Sequence, residues 1–293
     1  MDRRVALIVN PVAGGGRSRK RLPAVEGELR ALGIDFHREE TSSLVNAEQL
    51  AREATRSGEA VFTLGGDGLV GAVAGALAET GTPLGVLPGG RGNDFARVLG
   101  VPRDPAEAGR ALARAEVRRL DLGEAGGRPF IGIASCGFDS DANRIANEAR
   151  HVKGQAVYAY AALRALAAWK PARFELVLDG DSSRTYVGWS VGACNSKAYG
   201  GGMYAAPDAE LDDGLLDVVV CERTSKATFV TRILPGLFRG GTHVKLPQVH
   251  CMRAREVRIA SDRPLALYAD GDPVGDLPIT VRIRPGAIAV LVP

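Results

Sequence analysis

Several things are scarce in this sequence, and each scarcity excludes something. Cysteine is limited to Cys136, Cys194, Cys221 and Cys251 in 293 residues, far apart and with no Cys-x-x-Cys pair. That argues against a zinc site and for reduced thiols in a cytosol. Histidine is equally rare. His37, His151, His243 and His250 have no partner at metal-ligand spacing and read as surface or satisfied core residues. Net charge is small, with 37 Lys and Arg against 34 Asp and Glu. A balance of +3 gives no reason to expect a nucleic-acid partner and does not exclude an acidic membrane surface. Long apolar runs are missing too. The opening MDRRVALIVNPVAGGG breaks at Asn10-Pro11, too soon for a signal peptide or a membrane span. The stretch from Ala156 to Trp169 is interrupted by Arg164 and reads as a buried helix. No Gly-x-x-x-x-Gly-Lys-[Ser/Thr] occurs, which rules out a P-loop, and there is no internal repeat. The expectation is a soluble, cytoplasmic protein with no transmembrane segment, associated with membranes only peripherally.

Glycine, by contrast, is abundant at 37 residues, and hydrophobic residues make up 45%. The length suits two domains of ordinary size. The rhythm of the chain changes near residue 125. Before it, strand-like runs (Arg4–Val9, Ile34–Glu39, Ala60–Leu64, Leu84–Leu87) alternate with helical patterns (Arg17–Leu32, Ala47–Ser57, Val70–Glu79, Asn93–Leu99, Pro105–Ala115). Strict alternation predicts a parallel sheet covered on both faces. After Gly126 the runs Phe130–Ser135, Phe174–Leu178, Tyr186–Ala193, Leu216–Val220, Val257–Ala260, Leu265–Tyr268 and Ile279–Val292 read as strands joined by Gly and Pro turns. Helices are expected at Ala142–Trp169 and around Lys226–Leu237. The predicted organisation is a nucleotide-binding α/β domain over 1–125 and a mainly antiparallel β domain over 126–293, whose C-terminal tail packs back on the first.

Three strand ends of the first half carry glycine-rich turns: Asn10-Pro-Val-Ala-Gly-Gly-Gly16, Gly65-Gly-Asp-Gly68 and Pro88-Gly-Gly-Arg-Gly-Asn-Asp94. In a parallel sheet all three leave the same edge, where ligands bind. Bare glycines let backbone N–H groups approach a phosphate, and the following helix points its positive end there. Yet Asp67 puts a carboxylate in the second turn. Gly66-x-Gly68-x-x-Gly71 also satisfies a dinucleotide fingerprint, but it does not sit on the first strand, and no acidic residue ends the next one. Asp67 would also face the pyrophosphate unscreened. Two like charges about 4 Å apart at an effective dielectric near 20 repel by roughly 4 kcal/mol. A divalent cation resolves the conflict, because Mg²⁺ takes oxygen ligands and bridges nucleotide phosphates. Asp94, on the neighbouring turn, would face the same position.

GGDGLVGAVAGAL followed by LGVLPGGRGNDFARVLG resembles the diacylglycerol kinase catalytic-domain family of lipid kinases, which is related to the sphingosine kinases. The resemblance runs in order through NPVAGGG, Thr41, Asp121-Leu-Gly, PDAELDDGLLDVVV and ADGDPVG. It implies ATP-dependent phosphorylation of a lipid hydroxyl, with a phosphofructokinase-like first domain and a β-sandwich second one. Carried over by position, it implies nucleotide contacts at Asn10, Thr41, Gly65, Gly66, Asp67, Gly68, Leu69, Val70, Gly71, Arg91 and Asn93. Leu69 and Arg91 both stand where the family has threonine. Leu69 keeps only the backbone N–H, and Arg91 offers a planar fork of donors to a phosphate. The resemblance further implies that Asp67, Asp94 and Asp121 organise catalytic Mg²⁺, Asp94 being also a plain helix-cap candidate. Glu210, Asp213 and the carbonyl of Leu215 would hold a structural Mg²⁺, although the same string also suits an ordinary Asp-Gly hairpin.

The same match makes Asp272 the base that takes the lipid hydroxyl's proton, where relatives more often have glutamate, with Asp270 in support. Basic and large apolar residues interleave from Arg232 to Lys245, a composition suited either to an anionic membrane or to a charged helix end. The expected function is an ATP- and Mg²⁺-dependent lipid kinase meeting its lipid, most readily diacylglycerol, at a membrane surface, with a homodimer compatible. The alternatives are a sphingoid-base or other lipid-alcohol kinase, an NAD kinase, which shares GGDG, and a lipid-binding protein without transfer activity.

Overall fold

The computed structural model describes residues 4–148 and 164–293. Residues 149–163 of the helix expected at 142–169, with most of the apolar stretch from Ala156 and with His151, lie outside the described residues.

The first 112 residues alternate as β1 (Val5–Val9), α1 (Ala13–Ala31), β2 (Phe36–Glu40), α2 (Leu44–Arg56), β3 (Ala60–Gly65), α3 (Asp67–Leu77), β4 (Pro83–Pro88), α4 (Asp94–Val98) and α5 (Pro105–Leu112). Strand β1 is apolar throughout and β3 is apolar except for Thr63, whose hydroxyl donates to the Gly85 carbonyl; both are wholly buried, as a parallel sheet covered on both faces requires. Pairing is parallel in the order β2-β1-β3-β4, and the charged β2 (FHREE) takes the edge. Local chemistry sets the helix starts. The Ser43 hydroxyl accepts from Asn46 N–H to open α2, and the Asp104 carboxylate accepts from Ala106 and Glu107 N–H ahead of α5. Gly14, Gly15 and Gly16 are all left-handed (φ 62°, 72° and 87°), so right-handed helix begins only at Arg17, where the sequence pattern places it.

The second half consists of β5 (Glu116–Ala125), β6 (Arg128–Phe130), β7 (Ile133–Gly137), α6 (Phe138–Glu148), β8 (Ala172–Leu178), β9 (Arg184–Cys194), β10 (Ala198–Tyr199), β11 (Met203–Tyr204) and β12 (Leu216–Glu222), followed by a helical run. That run joins Lys226–Thr228, a π-helical turn at Phe229–Ile233, and Leu234–Phe238. Then come β13 (Val249–Ala254), β14 (Glu256–Ser261), β15 (Ala266–Ala269), β16 (Asp272–Asp276) and β17 (Ile279–Val292). Pairing within this half is antiparallel. The fold is therefore a parallel α/β first part and a mainly antiparallel β second part.

Strand β17 joins the two. It runs antiparallel to β14 and β5, and near its end it pairs in parallel with β4, Ala289 against Pro83 and Val290 against Leu84. The tail thereby buries Ile288, Val290 and Leu291 in the core of the first part. Strand β5 was not expected. Its first four residues are exposed and show no alternation, so its extended form depends on β17 alongside it. Helix α3 is built of small and apolar residues (DGLVGAVAGAL), and these let the second part approach closely. A Cβ at Gly75 would lie 2.5 Å from Pro129 Cγ of β6, and one at Gly71 would lie 3.5 Å from the Asp270 carboxylate.

Candidate active site

The three glycine turns touch one another. A Cβ at Gly14 would lie 2.6 Å from the Gly89 carbonyl, and one at Gly90 would lie 2.4 Å from Gly66 Cα. Side chains larger than hydrogen would force these loops apart. Polar bonds tie the turns as well: the Ser18 hydroxyl donates to the Gly89 carbonyl (3.2 Å), and Gly89 N–H donates to the Gly65 carbonyl (2.7 Å). Asn93, in the left-handed region at φ 52°, closes its loop by accepting from Gly90 N–H and donating to the Gly90 carbonyl. Asn10 accepts from Val12 N–H, and the buried Thr41 hydroxyl donates to the Ser43 carbonyl. Leu69 is buried and packs against Gly65, where a Cβ would lie 2.6 Å from Leu69 Cδ2. Val70 and Gly71 are buried beside it, Gly68 is exposed, and Arg91 is exposed and makes no ion pair with another described residue.

Asp67 opens α3, and its Oδ1 accepts from Phe95 N–H at 3.1 Å. Burial pushes its pKa up, the Phe95 bond opposes the shift, and the nearby Asp94 adds to it. The two carboxylates converge: a Cβ on Gly92 would lie 3.0 Å from Asp67 Oδ2 and 3.1 Å from Asp94 Oδ2. Asp94 is not a helix cap. It is ion-paired with Arg97, and its Oδ2 accepts from Gly201 N–H at 2.7 Å. Gly201 belongs to the turn between β10 and β11, so Asp94 fastens the second part to the first. Arg97 and the left-handed glycines Gly200, Gly201 and Gly202 were not singled out from the sequence, although GGG was visible in SKAYGGGMY.

The three carboxylates expected around one Mg²⁺ are divided. Asp121 lies in β5, and its oxygens accept from Gly214 and Gly286 N–H, both at 2.7 Å, the latter from a left-handed glycine in an irregularity of β17. Burial raises its pKa, and the nearest acids to it are Asp213 and Asp212. It thus groups with the Glu210–Leu215 loop. In that loop Glu210 is exposed and Asp213 Oδ1 accepts from Leu215 N–H. Arg253 supplies positive charge there, its guanidinium 3.3 Å from Asp213, 3.4 Å from Asp217 and bonded to the Asp208 carbonyl. Among the described residues no group of three or more His, Cys, Asp or Glu side chains could hold a metal ion. Asp67 and Asp94 offer a cation converging oxygens beside a glycine that leaves the space open, with Asp94 also paired to Arg97 and bonded by Gly201 N–H. In the Glu210–Leu215 loop Arg253 likewise faces the carboxylates of Asp213 and Asp217.

The Asp270-Gly271 pair turns β15 into β16 with both residues left-handed (φ 49° and 90°), a two-residue hairpin turn. The side chain of Asp270 does more than turn the chain. Its oxygens accept from Ile131, Gly132 and Ile133 N–H at 2.8, 2.9 and 3.1 Å, in the gap between β6 and β7. One strand was expected across that gap, and the inserted carboxylate is what divides it. Burial lifts Asp270 to about 6, against those three bonds, and Asp67 is close enough to add to the shift. Asp272 is different: its side chain is 43% exposed and paired with Arg128 at 2.8 Å. The structure therefore brings Asp270, rather than Asp272, against α3 and Asp67.

Two family models match successive stretches of the chain. The diacylglycerol kinase catalytic domain matches residues 4–125, and the YegS C-terminal NAD kinase beta sandwich-like domain matches residues 132–292. That combination defines a two-part kinase. Among curated proteins, a diacylglycerol kinase of Mycobacterium tuberculosis is 34% identical, aligned over 99% of this chain and 95% of its own. A probable lipid kinase YegS-like of Pseudomonas fluorescens is also 34% identical, over 92% of this chain and 89% of its own. The crystal structure of a diacylglycerol kinase from Bacillus anthracis matches with a TM-score of 0.75 at 22% identity, covering 99% of this chain and 97% of that one. The chain belongs to the diacylglycerol kinase and YegS-like family of lipid kinases. Among the described residues no helix is long and apolar enough to cross a membrane.

Proposed function

We propose that this lipid kinase transfers the γ-phosphoryl group of ATP to the hydroxyl of diacylglycerol, with Mg²⁺, at the face of a membrane it touches peripherally from the cytoplasm. The observation that carries the reading is the position of Asp67, on glycine turns shaped for phosphates and beside the Asp270–Asp272 hairpin of the second part. Mg²⁺ bound with the nucleotide would spread the phosphates' negative charge, and Asp67 with Asp94 would hold it. The glycine N–H groups of the three turns and Arg91 would take the phosphates, leaving Asn10 and Thr41 at the neighbouring strand ends to border the nucleotide. In the transfer, the lipid oxygen bonds to the γ-phosphorus, the bond to the β–γ bridging oxygen breaks, and ADP leaves. The hydroxyl proton passes to a carboxylate. Asp272 is the candidate for that base because it is accessible. Asp270, held by three N–H donors, fixes the hairpin that carries it. Release of Arg128 from Asp272 would free the base.

The test is transfer of radiolabel from ATP to purified diacylglycerol, a sphingoid base and a total lipid extract, with and without Mg²⁺. Label on diacylglycerol that requires Mg²⁺ is the expected result. Label on the sphingoid base alone would replace the substrate, and no label on any lipid would leave a binding protein.

A further inference from the structure

Between Glu222 and Glu256 the chain has no acidic residue and seven lysines and arginines. Four of these, Arg223, Arg232, Arg239 and Lys245, are exposed and make no ion pair with a described residue. The helical run in this segment is anchored from inside. Phe229 stacks on Trp189 with ring centroids 4.1 Å apart and planes 12° apart, and Ile233 is 3% exposed. With those anchors in place, the outward residues include Val230 and Phe238, 40% and 59% exposed. Phe238 is thus exposed in a segment whose cations Arg232, Arg239 and Lys245 make no ion pair with a described residue. The segment's composition matches a surface helix that lies in the headgroup layer of an anionic bilayer, apolar side chains inserted and cations over the phosphates.

The location suits a lipid as well. Leu234–Phe238 packs against β11, β11 pairs with β10, and the turn between them reaches Asp94 through Gly201 N–H. A bilayer held on this segment would lie one hairpin away from the carboxylates of the transfer site.

We propose that residues 226–245 form the surface by which the protein docks on an anionic lipid bilayer, with Phe238 and Val230 entering the headgroup layer and Arg232, Arg239 and Lys245 meeting the lipid phosphates. The purpose of the docking rests on the lipid-kinase reading above, but the docking is measured without catalysis. The full chain, without ATP, is sedimented with vesicles of phosphatidylcholine alone and of phosphatidylcholine mixed with phosphatidylglycerol. Binding is expected only to the mixed vesicles. A cation near such a surface contributes about fivefold, so Arg232→Ser/Arg239→Ser should lower partitioning roughly 25-fold. Phe238→Ser should lower it about tenfold, from the apolar area no longer buried. Arg52→Ser/Arg56→Ser on α2 removes the same charge elsewhere and should change little.

Turnover of diacylglycerol dispersed in detergent should be unaffected by all three variants, which also shows that they fold. The proposal is overturned if Phe238→Ser and Arg232→Ser/Arg239→Ser bind mixed vesicles like the wild type, or if the α2 variant loses as much as they do. It is also overturned if heparin captures the protein and Phe238→Ser makes no difference to vesicle binding, since the surface would then serve a polyanion. Transfer in detergent without vesicle binding refutes the docking alone, and vesicle binding without transfer refutes the function alone.

Discussion

The substitution Asp67→Asn separates the role proposed for Asp67 in catalysis from what it costs the fold. Both its outer oxygen and that of Asp94 lie about 3 Å from one point beside Gly92, so the two are at most about 6 Å apart. At an effective dielectric near 20, two full charges at that distance repel by roughly 3 kcal/mol. Arg97 pairs with Asp94 and cancels much of this, leaving about 1 kcal/mol. Removing the charge also forfeits about 0.3–1 kcal/mol of favourable interaction with the start of α3. Asparagine still offers an oxygen to Phe95 N–H. Burial of the charge, the main cause of the raised pKa, adds to the relief, so ligand-free Asp67→Asn should melt no more than about 4 °C below the wild type, at about 2–4 °C per kcal/mol. Scanning fluorimetry measures this, and then the gain with Mg²⁺ and ATP. At a hundredfold excess over Kd the wild type should gain about 2.7 kcal/mol of stability, while the variant gains clearly less. Lipid phosphorylation by the variant should fall at least 10²-fold. Near-normal turnover at limiting Mg²⁺ would refute the metal role, and a melting temperature lowered well beyond 4 °C would make Asp67 a structural residue.

Asp272→Asn should reduce kcat at least 10²-fold with ATP binding retained, the lower end of the contribution of a general base. Wild-type kcat would remove Asp272 from that role. Asp270→Ala leaves three buried N–H groups unpaired and should cost at least about 3 kcal/mol of stability, read as a fall in melting temperature; an unchanged one would contradict the bonds to Ile131, Gly132 and Ile133. Arg91→Ala should weaken ATP binding by about 1.5–3 kcal/mol, measured by titration, and unchanged affinity would leave Arg91 a plain surface residue. Burial raises Asp139 from 3.8 to about 6, with one oxygen unpartnered and Ser135, Cys136, Tyr199, Cys194, Cys221 and Asp141 around it. The folded chain binds that proton more tightly than the unfolded one, so its contribution is present below about pH 4 and lost as pH rises through about 6. Asp139→Asn should therefore melt higher than the wild type above pH 6 and flatten the decline between pH 4 and 6; an unaltered profile would show that this acid is not the cause. Because Arg253 faces Asp213 and Asp217, chelator should leave the wild-type melting temperature unchanged and Arg253→Ala should lower it; a chelator-sensitive wild type would restore a cation to the Glu210–Leu215 loop.

What could be read directly was whatever local pattern encodes. Apolar runs alternating with helical periodicity identified β1, β3, β4 and the helices between them, and glycines after strands identified the turns, because both signals lie within a few neighbouring residues. The bounds of β17, Ile279–Val292, were legible for the same reason, as was right-handed helix from Arg17 after three glycines. Strand β5 was not, because four of its ten residues are exposed and its pairing with β17 and β6 keeps it extended.

The sequence by itself determined the parallel sheet, the three turns along one edge and the acids available to them, since these follow from residue order and strand direction. Only the tertiary structure decided which acids meet. Asp270 reaches the gap before β7 because Ala269 pairs with Ala134, and Asp121 receives Gly286 N–H because β17 is irregular between Arg284 and Ile288. Asp94 binds Gly201 across more than a hundred residues of chain, and Asp272 binds Arg128. Each pairing joins elements far apart in sequence. A carboxylate carries no local mark of which distant N–H or guanidinium will satisfy it once water is excluded, so its partner is set by packing.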